Sequence, residues 1–143
     1  MLHGRFGKTT TAPYLEAHVA FPRLGLRGLV SFLVDTGADG TVLMPADSSN
    51  LGVRFGSLDN PSIAYGVGGA AKAFNERAVL AFTDNRHVYS YVVDMEHLAP
   101  TTRSQQLPSL LGRDILNRWR VAVDYSKRRV NFTPRTWDLR QKT

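Results

Sequence analysis

The chain contains no cysteine, which excludes disulfides and thiolate metal sites. No apolar run approaches the ~18 residues that a membrane-spanning helix needs. The opening residues Met1-Leu2-His3-Gly4-Arg5-Phe6-Gly7-Lys8 hold no apolar core of signal-peptide length. These absences set the expectation of a cytoplasmic protein with no membrane partner. The histidines, His3, His18, His87 and His97, are scattered and lack the paired spacing of a metal site. No Gly-x-Ser-x-Gly accompanies a serine nucleophile. No repeat of 20–50 residues appears. Gly66-Val67-Gly68-Gly69-Ala70-Ala71 fits Gly-x-Gly-x-x-Ala, but no βαβ pattern surrounds it, so dinucleotide binding is set aside. No cofactor and no metal is expected.

What is present is one domain's worth of chain. At 143 residues it can bury roughly 70% of its unfolded surface and fold without staples. Charge is unevenly placed. Up to Gly112, nine Lys and Arg balance nine Asp and Glu. From Arg113 onward, nine basic residues face three acidic ones, which accounts for the whole net charge of +6. A basic stretch of this kind suits an acidic partner. Without aromatic interleaving or a helix-turn-helix pattern, a nucleic-acid partner is not expected.

Most of the sequence reads as strand. Tyr14 to Phe21 and Leu29 to Val34 are β-type runs around a turn at Pro22 and Gly25. Thr41 to Met44 is a short strand ended by Pro45. Ala78 to Phe82 and His87 to Val93 flank the turn pair Asp84-Asn85. The second of these runs is apolar on both faces, which predicts a central strand. Leu110-Leu111-Gly112 is a small strand. Ile115, Leu116 and Trp119 have helical spacing, which predicts one short helix over 113–119. Val121 to Tyr125 and Val130 to Phe132 form a hairpin. The sum is a mostly antiparallel all-β domain over 13–134, with a flexible N-terminus over 1–12 and a basic tail over 135–143.

The chemistry points to one place. In Phe32-Leu33-Val34-Asp35-Thr36-Gly37-Ala38-Asp39-Gly40-Thr41-Val42-Leu43, an apolar run delivers an aspartate into a Thr-Gly turn and a second β-type run follows. A carboxylate at a strand mouth beside apolar walls is a candidate acid–base group. This stretch resembles the active-site loop of the retropepsin-like aspartic proteases, including their bacterial and ubiquitin-receptor-associated members. Leu110-Leu111-Gly112-Arg113-Asp114-Ile115-Leu116 resembles that family's second signature. Ala64-Tyr65-Gly66-Val67-Gly68-Gly69 resembles its glycine-rich flap tip, and the three occur in the family's order. The flap departs from retroviral versions in Tyr65 and the small pair Ala70-Ala71.

The resemblance implies a closed β-barrel and peptide hydrolysis. It implies catalytic roles for Asp35, Thr36 and Gly37, with Thr36 holding two loops in register and Gly37 admitting the substrate backbone. Ala38, Asp39, Tyr65, Gly66, Val67, Gly68 and Gly69 match substrate-binding positions. Arg113 and Gly112 match supporting ones, with Arg113 paired to Asp39. Peptide hydrolysis of this type uses two carboxylates that share one proton. This sequence has a single Asp-Thr-Gly, since Val123-Asp124-Tyr125 lacks the Thr-Gly. One chain therefore brings half an active site, and a homodimer with Asp35 from each subunit on a two-fold axis completes it. A dimerisation or peptide-binding module with weak or no catalysis is the alternative.

Overall fold

The computed structural model describes residues 1–66 and 68–143. In chain order the strands are β1 (Leu2–His3), β2 (Arg5–Phe6), β3 (Pro13–Phe21), β4 (Leu26–Val34) and β5 (Val42–Leu43). Helix α1 (Pro45–Leu51) is followed by β6 (Pro61–Gly66), β7 (Gly69–Thr83), β8 (His87–Leu98) and β9 (Leu110–Leu111). Helix α2 (Arg113–Leu116) leads to β10 (Trp119–Asp124), β11 (Arg129–Pro134) and β12 (Leu139–Lys142).

Alternation drives the larger sheet. In β3, Leu15, Ala17, Val19 and Phe21 are buried while Glu16 and His18 face water, the period-2 signature of a strand with one face on a core. β3 pairs with β4 and with β7, β4 with β9, β9 with β5, β5 with β8, and β8 with β7. The circuit returns to its start, so these strands form a closed barrel. Two pairings, β4–β9 and β5–β8, are parallel and the others antiparallel. The interior holds Val19, Phe21, Phe32, Leu80, Phe82, Tyr91, Met95 and Leu111.

A smaller sheet, β1–β11–β10, packs on one side. Its seam is aromatic. Trp119 meets Phe82 edge-on at 4.8 Å between ring centroids, Phe132 at 5.4 Å and Tyr91 at 5.8 Å. Its indole N–H donates to the Tyr91 hydroxyl at 2.7 Å, and that hydroxyl donates to the Thr136 carbonyl at 2.9 Å. The polar atoms of the seam are therefore satisfied, as burial demands.

Three expectations change. Pro45 does not only end a strand; it opens α1 at the first helical position, where its missing N–H costs nothing. Gly52 closes that helix at φ 85°, the left-handed cap that glycine adopts freely. Leu51 then sits on β4 at Gly28, where a Cβ would come within 2.4 Å of its Cδ2. The late helix is shorter than predicted, ending at Leu116, and Trp119 begins β10 instead. So among the described residues there are two α-helices rather than one. β8 does have strand neighbours on both edges, but only its Tyr89, Tyr91, Val93, Met95 and His97 side is buried; Val92 is exposed.

Both chain ends contain paired strands. Leu2 is 1% exposed and opposite Phe132 in β11, and the Gly4 amide donates to the Val130 carbonyl at 2.7 Å. β12 adds to the margin of β8, with Leu139 opposite Ser90 and Lys142 opposite His87. Each end gains backbone hydrogen bonds from a strand distant in sequence, which local composition cannot reveal.

Candidate active site

Asp35 follows the last residue of β4, directly above β9. Its amide donates to the Leu111 carbonyl at 3.0 Å, continuing the parallel ladder that pairs Val34 with Leu111. Its carboxylate turns back and accepts the Gly37 amide at 2.9 Å, while its carbonyl accepts the Ala38 amide at 3.2 Å. An aspartate followed by a turn makes this local bond readily. It orients one carboxylate oxygen. Gly37 is tight against it, since a Cβ there would lie 3.1 Å from Asp35 Oδ1. Asp35 is half-buried and Thr36 and Gly37 are exposed. Among the described residues, no cation forms an ion pair with the Asp35 carboxylate.

Arg113, at the start of α2, holds the far side of the loop. Its amide donates to the Ala38 carbonyl at 2.9 Å, and its guanidinium donates to the Thr36 carbonyl at 2.8 Å and to the Asp39 carboxylate. Asp39 is 96% exposed, so this pair shapes the loop more than it stabilises the fold. Gly112 lets α2 approach. A Cβ at Gly112 would stand 2.3 Å from the Gly40 carbonyl oxygen, a backbone contact that cannot yield.

Behind these lies a network that sequence inspection missed. Thr41 donates through its hydroxyl to Asp114 Oδ1 at 2.8 Å and through its amide to Asp114 Oδ2 at 3.0 Å. The Thr41 hydroxyl also accepts the Gly112 amide at 3.2 Å. One buried threonine thus joins the strand after the loop to the turn before α2. Ser109 does the same nearby, donating to Asp47 at 2.6 Å and accepting the Met44 amide at 2.9 Å. The visible signal was only the Gly-Arg-Asp triplet.

The hairpin of β6 and β7 carries the other predicted residues. Tyr65 pairs with Ala70 and Gly66 with Gly69, which takes φ 104° at the turn. Its outer residues are exposed, Tyr65 by 81%. Gly68 lies next to Arg103. Val67, matched to the flap's apolar tip, lies outside the described residues. The hairpin and the Asp35 loop belong to different parts of the barrel wall, and neither lines the cavity of about 450 Å³ formed by Pro45, Ser48, Val53, Phe55, Pro100 and Gln105. Asp35 itself is half-buried, with Thr36 and Gly37 exposed beside it. Among the described residues, no three His, Asp or Glu side chains are grouped as metal ligands. No helix among them is long and apolar enough to cross a membrane.

The profile of the retroviral aspartyl protease family matches residues 10–124, a span that takes in the Asp35 loop, the hairpin and α2. The chain belongs to this family. No curated protein sequence matches it. Among solved structures, a retropepsin-like aspartic protease from Rickettsia conorii superposes with a TM-score of 0.56 at 17% identity, over 90% of this chain and 95% of that one. The EIAV protease complexed with the inhibitor HBY-793 superposes with a TM-score of 0.53 at 23% identity, over 78% of this chain and 90% of that one. These likenesses show the acid-protease fold. The expected closed all-β barrel is thus borne out.

Proposed function

We propose that this retroviral-type aspartyl protease domain is an endopeptidase that works as a homodimer, with Asp35 of each copy forming the catalytic pair. The observation that carries this reading is a half-buried carboxylate oriented by its own turn, in a loop braced by Arg113, and free of any cationic partner among the described residues. Among those residues its one intrachain bond, from the Gly37 amide to Oδ1, engages a single carboxylate oxygen. Brought within about 3 Å of its twin, the carboxylate cannot ionise together with it, and the pair holds one proton. The ionised member takes a proton from water as the water oxygen attacks the peptide carbonyl carbon. The protonated member first hydrogen-bonds to the carbonyl oxygen. A proton then passes to the nitrogen as the C–N bond breaks, and two peptides leave.

Thr36 and Gly37 hold the paired loops, and Ala38 and Asp39 offer polar backbone and carboxylate atoms to an extended peptide. The hairpin residues Tyr65, Gly66, Val67, Gly68 and Gly69 close over that peptide and exclude water. The β10–β11 hairpin supports the dimer, since Val123 and Tyr125 lie exposed at its end. An interface of this sort is expected to bury on the order of 2,000 Å² or more.

The test is Asp35→Asn with peptide-library digestion and sedimentation. The variant should keep the fold and the dimer and lose all cleavage. Residual cleavage, or a strict monomer even with substrate present, would defeat the proposal. Peptide binding by the wild type without cleavage would mark a binding module instead.

A further inference from the structure

One segment joins the hairpin to the Asp35 strand. The stretch 99–109 leaves β8 at the hairpin's base, where the Ala99 amide donates to the Lys72 carbonyl at 3.0 Å. It ends in β9, whose Leu111 carbonyl receives the Asp35 amide. Between those points it is built, not slack. Ser104 is buried; its hydroxyl donates to the Ala99 carbonyl at 3.0 Å and accepts the Thr101 amide at 2.8 Å, while the Thr101 hydroxyl accepts the Ser104 amide at 3.0 Å. The residue mounted on this turn is Arg103.

Arg103 is exposed, and its guanidinium reaches the hairpin tip. A Cβ on Gly68 would stand 2.9 Å from Arg103 Nη1, 3.5 Å from Cζ and 3.6 Å from Nη2. The planar group therefore lies against the glycine, and any side chain at 68 would displace it. Among the described residues, no carboxylate pairs with Arg103. Residues 61–72 and 99–109 together contain Lys72 and Arg103 and no acidic residue. Hairpin and wall thus carry positive charge without an internal complement.

The geometry points to Arg103 as a specificity-determining residue that selects a peptide with an acidic side chain close to the bond that is cut. The inference rests on the peptidase reading above. A guanidinium presents a rigid fork that matches a carboxylate in two parallel hydrogen bonds. On the peptidase reading, the hairpin closes over the bound peptide and sheds water, and there such a pair discriminates more strongly than it would in open solvent. A glutamine in the same place keeps the shape and loses the charge. A lysine meets repulsion.

The experiment compares matched peptides carrying Glu, Gln or Lys at successive positions around the cleaved bond, with wild type, Arg103→Gln and Arg103→Glu. At one or two positions the wild type should favour Glu over Gln by about tenfold in kcat/KM, about 1.4 kcal/mol, expressed mainly in KM. Arg103→Gln should erase that ratio, and Arg103→Glu should turn the preference toward Lys. A Glu-to-Gln ratio that is the same in wild type and Arg103→Gln at every position would overturn the inference. So would an equal change for all three peptides, which would mark Arg103 as a latch on the hairpin. Fluorescence polarisation with the Asp35→Asn variant separates the two proposals. Arg103-dependent binding of the Glu peptide without wild-type cleavage would sink the peptidase reading and keep the charge preference. Neither binding nor cleavage would sink both.

Discussion

The guanidinium of Arg113 reaches both the carbonyl of Thr36 and the carboxylate of Asp39, two residues on opposite shoulders of Gly37. A side chain from the start of α2 therefore sets the width of the loop that orients Asp35. Lysine, with a single point charge, cannot hold both shoulders.

Arg113→Lys should accordingly lower kcat/KM by about tenfold or more, while costing no more than about 1 kcal/mol of stability, because Asp39 is almost fully in water. Peptide cleavage and urea unfolding, measured on the same preparation, check the two halves. A loss of stability that matched the loss of activity would mean that Arg113 is a fold residue only.

Gly112→Ala is expected to behave in the opposite way. Its methyl group would stand 2.3 Å from the Gly40 carbonyl oxygen, and the backbone must move to admit it. Overpacking of this kind costs about 1–3 kcal/mol and often more where the neighbour is backbone. The midpoint of urea unfolding should fall by a matching amount. By contrast, Gly28→Ala meets only the end of the Leu51 side chain, which can swing away, so it should cost less.

Acid should weaken the fold through His97. This side chain is fully buried, its Nδ1 lies 3.4 Å from the Ser48 hydroxyl, and its Nε2 has no partner among the described residues. Burial holds its pKa down at about 4, with buried Glu76 pulling weakly the other way. The unfolded chain binds a proton near pH 6.5, so between pH 6.5 and about 4 it holds more protons than the native state, and stability falls as pH falls. The loss is on the order of 3 kcal/mol across that window. Urea unfolding at pH 7, 5.5 and 4.5 should show the decline, and His97→Leu should flatten it. Asp138, whose carboxyl the Arg118 guanidinium and the Val92 amide hold below the usual range, adds its own loss only at lower pH.

How far composition and pattern reach is clear from particular elements. The run from Tyr14 to Phe21 marked β3 because its β-type residues end at the Pro22 and Gly25 turn, and in the fold Leu15, Ala17, Val19 and Phe21 put one face on the core. The Asp35 loop was legible because its turn chemistry lies within a few consecutive residues. Helix α1 was not, since Pro45-Ala46-Asp47-Ser48-Ser49-Asn50 has no apolar spacing; only its end signals, Pro45 and Gly52, betray it. The bond from Thr41 to Asp114 spans 73 positions, and nothing at either end announces the other. Arg103 was equally silent, since its meaning comes from a glycine on a different hairpin. The terminal strands β1 and β12 depend on partners supplied by β11 and β8, so their order appears only once the chain has closed.

The barrel's slenderest staves are β5 and β9, two residues each; β5 follows the Asp35 loop and β9 pairs with the strand that precedes it. Few ladder bonds defend that quarter of the wall, while the long β7–β8 ladder secures the neighbouring one beyond β5. Gentle warming or dilute denaturant should therefore loosen the acid's mounting while most of the scaffold endures. The molecule would fall silent before it fell apart.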